Sequence, residues 1–135
     1  LEVIESGDGG EDTGRLRAFA RAAREIGCRL ALDDAGAGAH AGEGFLRALE
    51  ALAPHYVKLD RSLLGREEDL AAYAGIALSA GAAAVIAEGV EREEQAAAAR
   101  GCGANAIQGW LTGRTPGAGL ELWSGLRVAG AVKAP

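Results

Sequence analysis

Short apolar segments alternate with stretches of helical periodicity along most of the chain, and this alternation limits the possible folds more than any other feature. Five apolar segments predict strands, at residues 1–4, 29–32, 56–59, 83–87 and 104–107. Strands separated by helices imply right-handed crossovers and a parallel sheet with the helices outside it. The pattern therefore predicts an α/β fold.

The helices between these strands have recognisable starts and stops. The first takes Asp12 or Thr13 as its N-cap and ends before Gly27. The second contains Phe45 and ends before Pro54, because the residue before a proline is disfavoured in a helix. Each helix begins soon after one strand and ends shortly before the next.

Two further helices complete the alternation, and a third is predicted near the end of the chain. One contains Leu70 and ends at Gly81, and the next covers residues 91–100. Residues 120–126, with Trp123, predict a final short helix. Repeated strand and helix units favour a (β/α)8 TIM-type barrel over an open sheet, and five units make only part of its eight-stranded ring.

Composition narrows the class of protein. The chain has 135 residues, of which 49% are hydrophobic, so it is long enough for one domain with a core. A net charge of -5 argues against binding to nucleic-acid polymers or anionic membranes. Cys28 and Cys102 lack metal-ligand spacing and are predicted to be reduced thiols, and no segment is apolar enough to span a membrane. We expect a cytoplasmic protein.

Polar residues gather where the predicted strands end. They are Glu2, Glu5, Asp33, Asp34, Lys58, Asp60, Glu88 and Gln108. The carboxyl ends of parallel strands meet at one mouth, where several carboxylates repel one another unless cations offset them. Carboxylates are the hard ligands that divalent cations prefer. The set therefore predicts metal-assisted chemistry, with Asp33 and Asp34 as the centre of the metal site.

Some of these residues have alternative explanations. Lys58 could instead extend its ammonium group into solvent or form a simple ion pair with Asp60. Gly36, Gly38 and Gly42 could form a dinucleotide-binding loop, but two aspartates directly before them would repel a bare pyrophosphate. The glycine pattern alone is a weak signal of that function.

The histidines and tryptophans carry no predicted role in chemistry. His40 and His55 lie in or beside loops and are predicted to be solvated. Trp110 and Trp123 are predicted to be packing residues, although Trp110 follows the Gln108–Gly109 turn and could line the mouth of the site.

Four motifs in order resemble the EAL domain family of cyclic di-GMP phosphodiesterases. They are Leu-Asp-Asp-Ala-Gly-Ala-Gly at 32–38, Val-Lys-Leu-Asp-Arg-Ser at 57–62, Ile-Ala-Glu-Gly-Val-Glu at 86–91 and Gln-Gly-Trp at 108–110. Residues 1–6 also resemble that family's Glu-x-x-Glu-Ser strand, so the similarity extends from residue 1 to about residue 116. The resemblance implies the last five strand and helix units of a (β/α)8 barrel, and we assign residues 1–126 to this part of the domain. Residues 127–135 are short, small and weakly patterned, and we expect them to form a tail.

The resemblance also implies a reaction and its residues. Two Mg2+ or Mn2+ ions would hold the scissile phosphate and activate a water that opens cyclic di-GMP to linear pGpG. The implied metal ligands are Glu2, Asp33, Asp34 and Glu88. Lys58 would orient the water, and Glu88 would serve the second metal or its water. The implied substrate and loop residues are Glu5, Gly36, Gly38, Asp60 and Gln108. A homodimer is implied as well.

Departures from the family leave other functions open. The Glu-Ala-Leu motif and a metal-binding Asn would precede residue 1, so we expect a piece of a longer domain that is inactive alone. Ala35 and Ala39 stand where the family usually has Phe and Tyr, and the loop is longer through residues 40–44. The main alternative is a catalytically degenerate module that binds cyclic di-GMP or a protein partner. A phosphate-binding metabolic barrel would follow only if the upstream sequence lacked the Glu-Ala-Leu strand.

Overall fold

The strands form one sheet whose order follows the chain. The computed structural model describes residues 2–3, 13–112 and 120–122. The strands are β1 (Glu2–Val3), β2 (Ala31–Ala35), β3 (Tyr56–Leu59), β4 (Ala84–Ala87), β5 (Ala106–Gln108) and β6 (Leu120–Leu122). Each is hydrogen-bonded to the next, and β1 to β5 are parallel. Five parallel strands in chain order confirm the predicted sheet.

Four helices connect the parallel strands. They are α1 (Thr13–Glu25), α2 (Glu43–Leu52), α3 (Glu67–Ser79) and α4 (Glu93–Gly101). Because consecutive strands are neighbours and crossovers are right-handed, all four connections place their helices on the same face of the sheet. A doubly wound sheet would instead reverse its strand order and carry helices on both faces. The topology is that of a partial (β/α)8 barrel.

Local sequence explains where the helices begin and end. α2 ends at Leu52 because Ala53 takes a left-handed conformation, with φ of 38°, and Pro54 follows. α4 begins at Glu93, where the Gln95 side chain accepts hydrogen bonds from the amides of Glu91 and Arg92 at 2.9 and 3.1 Å. These bonds satisfy amides that have no partner inside the helix.

The core lies between the sheet and its helices. β4 is buried along its whole length, and its continuous apolar run Ala-Val-Ile-Ala is typical of a strand inside a parallel sheet. The largest fully buried side chains are Leu30, Leu32, Phe45, Leu52, Val57, Leu59, Leu63, Leu70, Val85, Val90 and Ile107. Burial of each contributes about 1.5–3 kcal/mol to folding.

Residues 120–122 differ from the prediction. They form β6, which pairs antiparallel with β5, and not the start of the predicted helix over 120–126. A parallel crossover needs about a dozen residues or more, and the chain between Gln108 and Leu120 is too short to carry one with a helix. Pairing with β6 also covers the edge of β5. The remainder of that predicted helix, with Trp123, and the tail at 127–135 lie outside the described residues.

At the amino ends of the strands, side chains complete the backbone hydrogen bonding. His55, just before β3, accepts a hydrogen bond at Nδ1 from the Leu30 amide at 3.2 Å. Asn105, just before β5, accepts one at Oδ1 from the Val85 amide at 2.9 Å. The prediction of a solvated His55 was therefore wrong, because the residue is partly buried and its ring bonds the Leu30 amide just before β2.

Candidate functional site

A buried lysine joins two carboxylates at the carboxyl ends of three neighbouring strands. Lys58 Nζ lies 2.9 Å from Asp33 Oδ1 and 2.8 Å from Glu88 Oε1. The three side chains are 9%, 11% and 18% exposed, respectively. Asp33 lies in β2, Lys58 in β3, and Glu88 directly after β4. Parallel pairing of the strands therefore brings together residues that are far apart in sequence.

A β-bulge in β2 brings the adjacent aspartates to the same place. β2 continues through both aspartates to Ala35, although the sequence predicted its end at Leu32. The pairing with β3 steps from Leu32 opposite Val57 to Ala35 opposite Leu59, so β2 contains one extra residue. Adjacent residues of a regular strand point to opposite faces, and the bulge removes that separation.

Asp34 lies within the bulge and has a left-handed backbone conformation. Its φ is 51°, in the left-handed region that non-glycine residues adopt infrequently and that Asp tolerates better than most. Its amide donates a hydrogen bond to the carboxylate of Asp33, at 3.1 Å from Oδ1. Asp34 is exposed, whereas Asp33 is buried.

Asp33, Asp34 and Glu88, which we call the acidic cluster, could hold a divalent cation. Each offers a carboxylate oxygen, and these oxygens all lie within 4.8 Å of one another. Hard oxygen ligands are what Mg2+ and similar ions require, and the concentrated negative charge favours a cation. The donor set therefore fits a metal site at the place that the sequence predicted.

The electrostatics of Glu88 reflect its surroundings. Burial of the carboxylate raises the pKa of Glu88 above its usual value. The hydrogen bond and positive charge of Lys58 lower this pKa, and the nearby negative charge of Asp33 raises it. The net effect is a raised pKa of Glu88. The Lys58 ammonium thus only partly offsets the cost of holding the partly buried Glu88 carboxylate beside the buried Asp33 carboxylate.

Asp60 stands apart from the acidic cluster. Its Oδ1 accepts a hydrogen bond from the Ser62 amide at 2.8 Å, which caps a 3-10 turn over Arg61–Leu63. Burial raises the pKa of Asp60, but the hydrogen bonds from Ser62 and Arg61 bring it below its usual value. The described ion pairs of Lys58 are with Asp33 and Glu88, so the alternative of an isolated pair with Asp60 was wrong.

The glycine-rich segment folds into a tight loop. The Gly36 amide donates to the His40 carbonyl at 2.8 Å, and the Ala37 amide donates to the Asp34 carbonyl at 3.1 Å. A methyl group on Gly36 would lie 2.5 Å from a methyl carbon of Leu63, so the turn requires glycine there. A methyl group on Gly38 would meet nothing within 4 Å. The amides of Gly36 and Ala37 bond within the loop, which argues against a dinucleotide-binding loop.

The remaining predicted residues are placed less completely. Glu2 lies in β1 opposite Ala31, but the structure describes only its backbone. Glu5 lies outside the described residues. Gln108 ends β5 and is exposed, and its carbonyl accepts a hydrogen bond from the Val90 amide at 3.1 Å. Backbone pairing thus holds the end of β5 against the turn that follows Glu88.

The structure overturns two expectations about aromatic and imidazole side chains. His40 is 4% exposed, and its Nδ1 lies 2.8 Å from the Asp33 carbonyl oxygen, so it is not a solvated loop residue. Trp110 is 66% exposed, so it is not a core packing residue. No pattern of residue types marks a histidine that folds back onto a strand seven positions earlier. Sequence reasoning therefore missed His40.

Two negative findings apply to the described part of the chain. None of its helices is both long and apolar enough to cross a membrane. Cys28 and Cys102 form no disulfide and are partly buried.

Comparison with known proteins gives a consistent family. The family model of the EAL domain matches residues 1–115. Comparison with curated proteins gave no match. Among solved structures, BlrP1 of Klebsiella pneumoniae, in a complex with manganese and cyclic di-GMP, is 26% identical with a TM-score of 0.66. That alignment covers 82% of this chain and 28% of BlrP1.

A second solved structure shows the same fold. The YkuI protein of Bacillus subtilis, which has an EAL domain and was crystallised with its substrate c-di-GMP and calcium, gives a TM-score of 0.64. It is 24% identical to this chain, over 77% of this chain and 26% of YkuI. The chain therefore spans about a quarter of the length of these two solved chains.

Proposed function

Because the chain belongs to the EAL domain family, we propose that the protein hydrolyses cyclic di-GMP to linear pGpG with divalent metal ions. The observation that carries this proposal is the acidic cluster with Lys58 bound between Asp33 and Glu88. The solved structures of YkuI and BlrP1, which contain cyclic di-GMP together with calcium or manganese, support it.

The metal ligands that we propose are Glu2, Asp33, Asp34 and Glu88, with Mg2+ or Mn2+ as the ions. Asp33 Oδ1 already accepts hydrogen bonds from Lys58 and from the Asp34 amide, so we assign Oδ2 to a metal. Glu88 Oε1 is bonded to Lys58, which makes Oε2 its proposed metal ligand. Bound divalent ions would lower the pKa of a coordinated water and stabilise charge on the phosphate.

Lys58 has a separate role in this proposal. Its ammonium is held by two charge-assisted hydrogen bonds and is 9% exposed, so its position is well defined. From there it can donate a hydrogen bond to the attacking water and orient the water's lone pair toward phosphorus. Its positive charge also stabilises negative charge that develops on the phosphate oxygens.

Residues around the cluster would shape the substrate site. We propose that Gln108, exposed at the end of β5, contacts the substrate. Gly36 and Gly38 would act through the tight loop after Asp34, and Glu5 would brace that loop. Asp60 would also act through loop structure, because its carboxylate caps the Arg61–Leu63 turn.

Hydrolysis is tested directly with the full-length protein that contains this chain. Cyclic di-GMP is incubated with the protein and Mn2+, and pGpG is measured by chromatography with and without a chelator. We expect pGpG to form only when the divalent metal is present. Binding of cyclic di-GMP without any loss of it in Mn2+ would contradict the catalytic proposal.

The extent of the domain is part of the proposal. The described residues supply five parallel strands, whereas a closed barrel of this type has eight. We assign residues 1–126 to the carboxyl-terminal part of the domain and 127–135 to a tail. Strands contributed by further sequence would complete the metal site, so we expect negligible activity from residues 1–135 alone.

A receptor without catalysis is the second candidate function. The observation that favours it is the small side chain of Ala39, exposed in the loop beside the acidic cluster where the family usually has an aromatic residue. Calorimetry distinguishes the two functions. Binding of cyclic di-GMP that persists after chelation, with no product, would favour the receptor.

Self-association is the remaining part of the proposal. α1 and α2 pack against each other, and Phe19 in α1 and Leu46 in α2 are 40% and 51% exposed, so each offers an apolar side chain that a second copy of the domain could cover. Sedimentation of the full-length protein, compared with a Leu46→Glu variant, would show a dimer that the variant weakens. A monomer at all concentrations would contradict this part.

A further inference from the structure

We propose that His40 is a positioning residue that holds the Asp33–Asp34 peptide in the orientation required for metal binding; this inference rests on the proposed metal-dependent function. His40 lies in a short 3-10 turn over Gly38–His40, outside the acidic cluster itself. Its side chain is buried, at 4% exposure, and its Nδ1 lies 2.8 Å from the Asp33 carbonyl oxygen.

The chemistry of this contact determines which ring nitrogen of His40 carries a proton. A carbonyl oxygen only accepts hydrogen bonds, so Nδ1 of His40 must carry the hydrogen and donate it to Asp33. The bulge leaves Asp33 and Asp34 between the two registered pairs of β2 with β3. The imidazole therefore bonds the strand at the place where regular pairing is interrupted.

The same peptide group is held at both of its polar atoms. His40 donates to the Asp33 carbonyl oxygen, and the Asp34 amide of that peptide donates to Asp33 Oδ1 at 3.1 Å. Rotation of this peptide plane would lose both hydrogen bonds. It would also change the φ of Asp34, which is 51° in the folded chain.

The backbone of His40 closes the loop from the other side. Its carbonyl accepts from the Gly36 amide at 2.8 Å, and its own amide donates to the Ala37 carbonyl at 3.0 Å. The ring is thus presented to Asp33 by the loop of residues 36–40, which directly follows the bulge. Because Asp34 adopts an uncommon conformation, bonds that remove its alternatives keep its carboxylate near those of Asp33 and Glu88.

The test uses the full-length protein and Mn2+ alone as the probe. Mn2+ affinity is measured by calorimetry for the wild type and for His40→Ala, His40→Asn and His40→Gln. We expect His40→Ala to weaken Mn2+ binding by about 10- to 100-fold, as is usual when a group that orients a metal ligand is lost. The Asn amide nitrogen stands at the same distance from the backbone as Nδ1 and should restore most of the affinity, whereas the longer Gln should not.

His55→Ala is the matched control. His55 also bonds a strand backbone through Nδ1, but it lies before β3, at the opposite end of the strands from the acidic cluster. We expect this variant to lower the unfolding temperature without weakening Mn2+ binding by the folded protein. Equal effects of His40→Ala and His55→Ala on Mn2+ affinity would reduce His40 to a general stability role and overturn the inference.

The remaining outcomes separate this inference from the proposed function. If the wild type hydrolyses cyclic di-GMP and His40→Ala binds Mn2+ within twofold of it, the inference fails and the function stands. If the wild type binds Mn2+ without hydrolysis and His40→Ala binds it more weakly, the function fails and the inference stands. A wild type that binds no Mn2+ overturns both.

Discussion

The two ends of the strands use polar side chains in opposite ways. At the amino ends, His55 and Asn105 are neutral acceptors that bond the amides of Leu30, just before β2, and of Val85, in β4. At the carboxyl ends, Asp33, Lys58 and Glu88 are charged and bond one another. The amino-end side chains complete the backbone hydrogen bonding of the sheet. The carboxyl-end side chains instead concentrate charge that contributes nothing to that backbone hydrogen bonding.

The contrast separates stability from function within a single architecture. Neutral hydrogen bonds to backbone amides remove the cost of burying those amides. Buried ion pairs are weak evidence of stability, because the desolvation of the charges offsets their attraction. The charged residues at the carboxyl ends are therefore better explained by a role in catalysis than by a role in stability. The following predictions test this division between stabilising amino ends and functional carboxyl ends.

The largest effect is expected from Asp33→Ala. Removing a carboxylate that bonds Lys58 and belongs to the acidic cluster should lower the rate of cyclic di-GMP hydrolysis by about 100-fold or more. Asn105→Ala, at the amino end, should leave the rate per folded molecule unchanged while costing about 1–3 kcal/mol of stability. Steady-state kinetics and urea unfolding measure the two quantities. Comparable rates for the two variants would refute the division.

Lys58→Met should have the next largest effect, on stability. It leaves the buried Asp33 carboxylate and the partly buried Glu88 carboxylate without their shared cation, at a cost of about 3–5 kcal/mol in the free energy of unfolding. Added Mn2+ should recover part of this loss by supplying positive charge. The exposed Arg17–Glu50 pair is the control, because Arg17→Met should cost less than about 1 kcal/mol. Urea unfolding with and without Mn2+ provides the comparison.

Two glycines sharpen the comparison between the ends. Gly36 and Gly81 both have positive φ, of 96° and 95°, but only Gly36 has a neighbour, Leu63, where a methyl group would go. Both substitutions to Ala incur backbone strain, and Gly36→Ala should cost about 1–3 kcal/mol more because of overpacking. Thermal unfolding of the two variants tests this. A larger loss in Gly81→Ala would contradict the described loop.

The smallest effect concerns pH and the amino end. Burial, followed by the positive charges of Arg24 and Arg29, lowers the pKa of His55 below 6.5. As pH falls, His55 is therefore protonated in the unfolded chain before it is protonated in the folded chain. The contribution of His55 to stability is complete above pH 6.5 and is lost as pH falls from 6.5 toward the lower pKa of the folded chain. His55→Asn should show a smaller decrease between neutral and mildly acidic pH. An unchanged pH profile in this variant would exclude His55 as the cause.

Most of the fold was predictable because it depends on local patterns. Apolar segments and helix stops such as Pro54 located the parallel strands and helices to within a few residues. Residues 120–122 were predicted as helix, although Leu-Glu-Leu alternates apolar and polar residues as a strand does. Their partner, β5, decided the outcome, and a partner strand is not visible within a short window of sequence.

The candidate site was predictable only in its list of carboxylates and its lysine. Residue types at strand ends indicated Asp33, Lys58 and Glu88, and their burial and ion pairs are described by the structure. Asp60 has the same position at a strand end, yet its carboxylate caps a turn. Which partner a polar side chain bonds depends on the distances between strands, helices and loops in the folded chain. The spacing of residues along the sequence does not give those distances.

The sequence by itself determined the order of strands and helices, the family, and the residue types available for chemistry, because these depend on periodicity and on motifs within single segments. Only the tertiary structure decided that β2 bulges, that Lys58 joins Asp33 to Glu88, and that His40 turns back onto the bulge. These features arise where separate strands and loops meet. The energies that select them belong to contacts between segments and not to any one segment.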